Sequence, residues 1–176
     1  KKFHNNKIGF LIYAGSQGSL EILNVLKNLI NNDTFKKINK QIKFIIQAPP
    51  AKHQEIEKIM NKNNYEYEIR PFFHNFHEVL NRSHIALSRS GAGTINDLIL
   101  AKIPSVILPL SHAKNNHQYE NAKVLTDIGC AKIIDSNLKN LHDISLFIKQ
   151  VIDDKNFYES LINKFYSLER QKVCKR

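Results

Sequence analysis

Tryptophan is absent from this chain, methionine occurs once and cysteine twice. The two thiols, Cys130 and Cys174, make neither a disulfide framework nor a cysteine-based metal site, and their scarcity fits a reducing cytoplasm. Six glycines and five prolines are too few for a collagen-like or low-complexity chain. No apolar run approaches the roughly 20 residues that a membrane span needs. The opening Lys1-Lys2-Phe3-His4 lacks the apolar core of a signal peptide and does not begin on Met, so a piece of a longer protein is expected. Acidic residues are also scarce, 16 against 26 Lys and Arg, for a formal net charge of +10. Such a charge speaks of partners and solubility rather than fold. The lysines (Lys27, Lys36, Lys37, Lys40, Lys43, Lys58, Lys62) are scattered and interleave with no aromatic patch. Compositional drift towards Asn, Lys and Ile explains them first, attraction to an anionic membrane or substrate second, and nucleic acid last.

What is present is a globular composition: 176 residues, 42% of them hydrophobic, enough for one well-buried domain and too few for two. Apolar runs alternate with helical periodicities. Ile8 to Tyr13 reads as a buried parallel strand, followed by a turn at Gly15-Ser16-Gln17-Gly18. Leu20, Leu23, Leu26, Leu29 and Ile30 then share a helix face, and Asn31-Asn32-Asp33 ends that helix. Ile42 to Gln47 predicts a second strand, with Pro49-Pro50 as a stop before a polar helix from Lys52 to Asn63. Tyr65 to Arg70 predicts a third, alternating strand closed by Pro71. A short helix over 75–82 leads to the strand His84–Leu87, and the helix after Gly91 buries Ile95, Leu98 and Ile99. Ser105 to Leu108 is a fifth strand. The helix from His117 buries Val124, Leu125 and Ile128, with Gly129 as its cap. Ala131 to Ile134 is the last strand. Two closing helices carry Ile144, Phe147, Ile148 and Val151, then Phe157, Leu161, Phe165 and Leu168. The order predicts an α/β fold, a single Rossmann-like doubly wound parallel sheet over residues 1–169, with 170–176 as a frayed tail. In such sheets ligands sit outside the carboxyl ends of the strands.

Several turns fall at those ends. Gly15-Ser16-Gln17-Gly18 opens a helix whose N-terminus favours an anion, although it is neither a G-x-G-x-x-G fingerprint nor a P-loop. An ordinary βα turn reads the same way. Arg89-Ser90-Gly91-Ala92-Gly93-Thr94 repeats the arrangement later in the chain. Asp97 lies one helical turn beyond Gly93, off the core stripe, where a carboxylate accepts from a ribose diol or is simply solvated. His112, Asn115, Asn116, His117, Gln118 and Asn121 crowd a loop and the first turn of the next helix. Side chains that both donate and accept suit sugar hydroxyls. A group made mostly of amides is a poor metal site. Phe72 and Phe73 can bound a flat base, with one of the pair expected in the core. His74 and His77 have no ligand spacing. No Ser/His/Asp or Cys/His constellation and no carboxylate pair is legible, so a nucleotide-sugar binding site stands out more clearly than a catalytic base.

Ala14-Gly15-Ser16-Gln17-Gly18-Ser19, Ser88-Arg89-Ser90-Gly91-Ala92-Gly93-Thr94 and Asn116-His117-Gln118-x-x-Asn121-Ala122 resemble the signature turns of the MurG-type N-acetylglucosaminyltransferases, in order and approximate spacing from Ile8 to about Ile134. The resemblance implies the C-terminal, donor-binding half of a GT-B glycosyltransferase. It also implies an inverting transfer of N-acetylglucosamine from UDP-GlcNAc to undecaprenyl-diphospho-MurNAc-pentapeptide. That step makes lipid II for peptidoglycan, peripherally at the cytoplasmic face of the membrane, with no metal or other cofactor and no nucleic acid. Carried over by position, Gly15, Ser16, Gly18, Gly93 and Thr94 would hold the diphosphate with Arg89 nearby. Phe72 and Phe73 would bound the uracil, Asp97 would take the ribose, and His117, Gln118 and Asn121 would read the sugar.

There are departures. Ala14 stands where the family usually has Gly, Asp97 where it has the longer Glu, and His74 where an acidic residue is usual. The half that carries the acceptor site and general base does not lie within these residues, so the chain alone is expected to bind donor and transfer nothing, with no catalytic residue of its own. A separate donor-binding subunit of another lipid-linked glycosyltransferase, a nucleotide-sugar hydrolase on the same fold, and a non-catalytic basic module for nucleic acid or membrane remain the alternatives.

Overall fold

Buried apolar runs pair side by side into one six-stranded sheet, all parallel, in the order β3-β2-β1-β4-β5-β6. The computed structural model describes residues 7–13, 20–38, 42–110 and 117–173. The strands are β1 (Ile8–Tyr13), β2 (Ile42–Gln47), β3 (Glu66–Arg70), β4 (Ile85–Ser88), β5 (Ser105–Ile107) and β6 (Ala131–Ile133). The helices are α1 (Leu20–Asn31), α2 (Asp33–Lys36), α3 (His53–Lys62), α4 (Phe76–Arg82), α5 (Ala92–Ala101), α6 (His117–Thr126), α7 (Leu141–Asp153) and α8 (Lys155–Val173). α1, α2 and α7 pack together, as do α4, α5 and α6, so the sheet is doubly wound as its βα alternation predicts.

The core is built around β1, whose Phe10, Leu11 and Ile12 are all buried because both faces of a central parallel strand are covered. Phe10 stacks on Phe44 at 5.6 Å, and Tyr65 meets Phe44 edge-on at 5.0 Å. Phe35 completes the cluster from an unexpected place. Asn31-Asn32-Asp33 ends α1 as predicted, but Asn32 then caps a second, very short helix. Its Oδ1 accepts from the amides of Thr34 at 3.0 Å and Phe35 at 3.3 Å, and the turn delivers Phe35 to the core.

Two apolar residues expected inside are outside. Leu20 is 60% exposed and Val124 is also exposed, and Ile128 lies beyond the end of α6, only partly buried. Pro50 does not simply stop β2; a 3-10 turn over Pro50–Lys52 runs straight into α3. Gly129, at φ +69°, takes the left-handed turn predicted for it. α8 stays helical to Val173, past the predicted domain end at Glu169. It crosses the amino end of the sheet, bringing Tyr158 to His84, the Leu161 carbonyl to the Cys130 thiol and Tyr166 to the Lys102 ammonium. Burial pushes the Cys130 thiol up to about 11, which leaves it an inert core group.

Gly9 is required by close approach. A Cβ there would stand 2.0 Å from the Arg82 carbonyl oxygen. The same contact is locked by the Gly9 amide donating to His84 Nδ1 at 3.0 Å and the His84 amide donating to the Gly9 carbonyl at 2.8 Å. At the exposed edge, β3 carries charge that discourages pairing with another chain. Lys7 and Lys43 hold Glu66, while Arg82 and Arg70 hold Glu68.

Gly9→Ala is expected to destabilise the fold by about 3 kcal/mol or more, the upper range for forcing an atom into a packed core, as a lowered urea midpoint. The Arg82 hydrogen bond holds the Glu68 carboxyl below its ordinary 4.5. A depressed folded pKa contributes stability above the unfolded value and loses it as pH falls through the folded one. Glu68→Gln should therefore cost under about 1 kcal/mol near neutrality. That gap should close in urea melts taken below pH 4; a gap that widens with acid contradicts the assignment.

Candidate functional site

The turn after β4 is made of small residues. Ser88 and Ser90 are fully buried, and neither hydroxyl has a hydrogen-bond partner among the described residues. Gly91 occupies the cap position of α5 with extended backbone (φ −59°, ψ 146°) and no side chain caps the helix. The first intrahelical bond runs from the Ile95 amide to the Gly91 carbonyl, so the first-turn amides face outward without a helical acceptor. Ala92 and Gly93 are exposed, and a Cβ on Gly93 would meet nothing within 4 Å. The result is an open helix N-terminus with about half a positive charge, lined by backbone, which suits an anion.

Three side chains hold that turn in place. Arg89 is only 15% exposed. Its Nη1 donates to the carbonyls of Leu108 and Pro109 at 3.1 Å each, and its Nη2 pairs with Glu21 in the first turn of α1. The guanidinium thus bridges the ends of β4 and β5 to α1. The residue expected beside the diphosphate is engaged by the protein itself. Asn121 Nδ2 donates to the Ser90 carbonyl at 3.0 Å, tying α6 to the β4–α5 turn. Gln118 Oε1 accepts from the Leu110 amide at 3.0 Å, fixing the chain that leaves β5. His117 is exposed at the first residue of α6.

On the other side of the turn, the two phenylalanines divide as expected. Phe73 is 7% exposed and belongs to the core, whereas Phe72 is 58% exposed and meets the His74 ring edge-on at 5.5 Å. Phe76, opening α4, packs on Tyr13 at 4.9 Å. Tyr13 ends β1, and its phenol is pushed up by burial and by the negative charge of nearby Asp97. Asp97 is half-buried on α5, and Thr94 lies one turn before it. Gly15, Ser16 and Gly18 lie outside the described residues, as do His112, Asn115 and Asn116.

The structure therefore brings the α5 N-terminus, Asn121 and Gln118 to one side and Tyr13, Phe76 and Asp97 to the other. Sequence reasoning counted Tyr13 only as a strand residue. A polar aromatic at the very end of an otherwise aliphatic strand was the available signal. Nothing in the sequence linked Arg89 to Glu21. Among the described residues no three His, Cys, Asp or Glu gather as metal ligands, and no helix is long and apolar enough to cross a membrane.

Known proteins share this fold. The family model described as glycosyltransferase family 28 C-terminal domain matches residues 10–176. The UDP-N-acetylglucosamine–N-acetylmuramyl-(pentapeptide) pyrophosphoryl-undecaprenol N-acetylglucosamine transferase of Rickettsia typhi is 31% identical over 159 residues, which are 90% of this chain and 41% of that protein. The like-named transferase of Desulforamulus reducens is 26% identical, over 96% of this chain and 46% of its own length. The chain thus spans less than half the length of these curated relatives. Among solved structures, Acinetobacter baumannii MurG superposes with a TM-score of 0.77 at 20% identity, over 93% of this chain and 46% of that one. The doubly wound sheet is the C-terminal half of a GT-B fold, and this chain belongs to the glycosyltransferase family 28 C-terminal domain family.

Proposed function

We propose that this chain is the donor-binding half of an inverting N-acetylglucosaminyltransferase that makes lipid II from UDP-GlcNAc and undecaprenyl-diphospho-MurNAc-pentapeptide. The observation that carries the reading is the uncapped α5 N-terminus, opening on empty space at Gly93 and tied through Ser90 to Asn121. Family membership supplies the ligand class. In this reading the diphosphate lies against the amides around Gly93 and Thr94, and Gly15, Ser16 and Gly18 are assigned to the same diphosphate by family resemblance. Asp97 accepts from the ribose, exposed Phe72 covers the uracil, and His117, Gln118 and Asn121 face the sugar. Arg89 contributes by holding three turns in register.

The transfer forms a bond from the acceptor hydroxyl oxygen to the sugar C1 and breaks the bond from C1 to the diphosphate. Negative charge develops on the departing UDP, and the α5 helix end stabilises it there. The acceptor proton goes to a base outside the residues of this chain, and the lipid-linked acceptor is held there too, peripherally at the cytoplasmic membrane face.

Isothermal titration of the folded chain with UDP-GlcNAc should give saturable binding; silence from a folded sample overturns the donor reading. Asp97→Ala should weaken that binding roughly tenfold to a hundredfold, as expected for hydrogen bonds to a charged group. The chain by itself should transfer no sugar, and robust lipid II synthesis without added protein would contradict the division of the site. Arg89→Ala should cost about 1–3 kcal/mol by unsatisfying the Leu108 and Pro109 carbonyls. Arg89→Lys should recover little of it, because a single ammonium does not reproduce the planar fork. Thermal melts of both variants measure this directly.

A further inference from the structure

Tyr13 stands opposite Ser88 in the β1–β4 register and opposite Gln47 in the β1–β2 register, at the carboxyl end of the sheet, and its side chain meets α4. The ring lies 4.9 Å from Phe76 and is half-buried. Among the described residues its hydroxyl makes no hydrogen bond, and the neighbouring Asp97 carboxylate has neither a hydrogen bond nor an ion pair. Among the described residues, two polar groups from different elements are thus left unengaged, with the Asp97 charge close enough to act on the phenol. A ligand that offers donors to the carboxylate and an acceptor to the phenol would engage both. The chemistry of the pair is unequal. A carboxylate only accepts, whereas a phenol also donates. Burial and the Asp97 charge both oppose ionisation of the phenol, so it keeps its proton at neutral pH.

We infer that Tyr13 is a second reader of the donor's ribose, its hydroxyl donating to a diol oxygen whose own proton is accepted by Asp97. A vicinal diol has two donors for the carboxylate and oxygen lone pairs that the carboxylate cannot satisfy; the phenol satisfies one of them. Asp97 also reaches one methylene less far than a Glu would, and Tyr13 approaches the diol from the opposite element, the end of β1. The pair makes the site selective for a ribonucleoside diphosphate over one lacking the diol. This inference rests on the donor-site reading above.

The test compares UDP with 2′,3′-dideoxy-UDP on the parent chain and on Tyr13→Phe, by titration calorimetry and ligand-observed NMR. Phenylalanine keeps the ring and its packing on Phe76, and a matching thermal melt confirms the fold. The variant should bind UDP roughly 3–10-fold more weakly, the size of one neutral hydrogen bond, with dideoxy-UDP binding unchanged. Equal weakening of both ligands, or no change in either, overturns the role of Tyr13 and leaves the donor reading standing. Failure of the folded parent to bind UDP overturns the donor reading and this inference with it.

Discussion

The site depends on the parallel pairing of β1 with β4. That pairing sets Phe10 beside Ile85 and Tyr13 beside Ser88, so both strands end at the same edge. The chain leaving β1 turns into α1 on one face, and the chain leaving β4 turns into α5 on the other. At such a reversal the two connections diverge and leave a crevice between them. The pairing itself depends on Gly9, because the Arg82 carbonyl occupies the space that any side chain would need. A backbone contact at the amino end of the sheet thereby fixes which residues face each other at the carboxyl end.

A crevice between diverging turns is useful only if the turns hold still. Loops at strand ends are usually the mobile parts of an α/β domain. Here Arg89 joins the ends of β4 and β5 to α1, and Asn121 joins the β4–α5 turn to α6. The ties to Leu108, Pro109 and Ser90 run to backbone carbonyls, which cannot rotate away as side chains can, and the tie to α1 runs to the Glu21 carboxylate. The open helix N-terminus at Ala92 and Gly93 is thus held in place before any ligand arrives, and preorganisation of this kind reduces the ordering cost of binding.

The sheet was legible in the sequence because a parallel strand covered on both faces must be largely apolar, and β1, Phe44–Ile46 of β2 and Ile85–Leu87 of β4 are. Helix faces were legible less completely. Periodicity showed which stripe of α1 turns inward but not where burial begins along it: Leu20, the first residue, is exposed, while Ile22, Leu23 and Leu26 are buried. Val124 failed for a related reason: α6 buries only Ala122 and Leu125, a narrower stripe than the apolar residues suggested. α2 was hidden because Asn32 both ends one helix and caps the next. At the site, glycine and amide spacing located the turns. The contact that ties them to α1, Arg89 with Glu21, joins residues far apart in sequence, and local pattern carries no trace of such a pair.

The two amides show what the fold adds to that spacing. In the sequence Gln118 and Asn121 are equivalent, each able to donate and accept. In the structure they are committed in opposite senses: Gln118 uses its carbonyl oxygen on the Leu110 amide, while Asn121 uses its NH2 on the Ser90 carbonyl. The end of Gln118 left outside its bond is therefore a donor, and that of Asn121 an acceptor. Lying three residues apart on α6, they present one donor and one acceptor side by side, matched to neighbouring groups of opposite hydrogen-bond sense. The backbone groups that orient the two amides, and not the amides alone, thus decide which end each one offers outward.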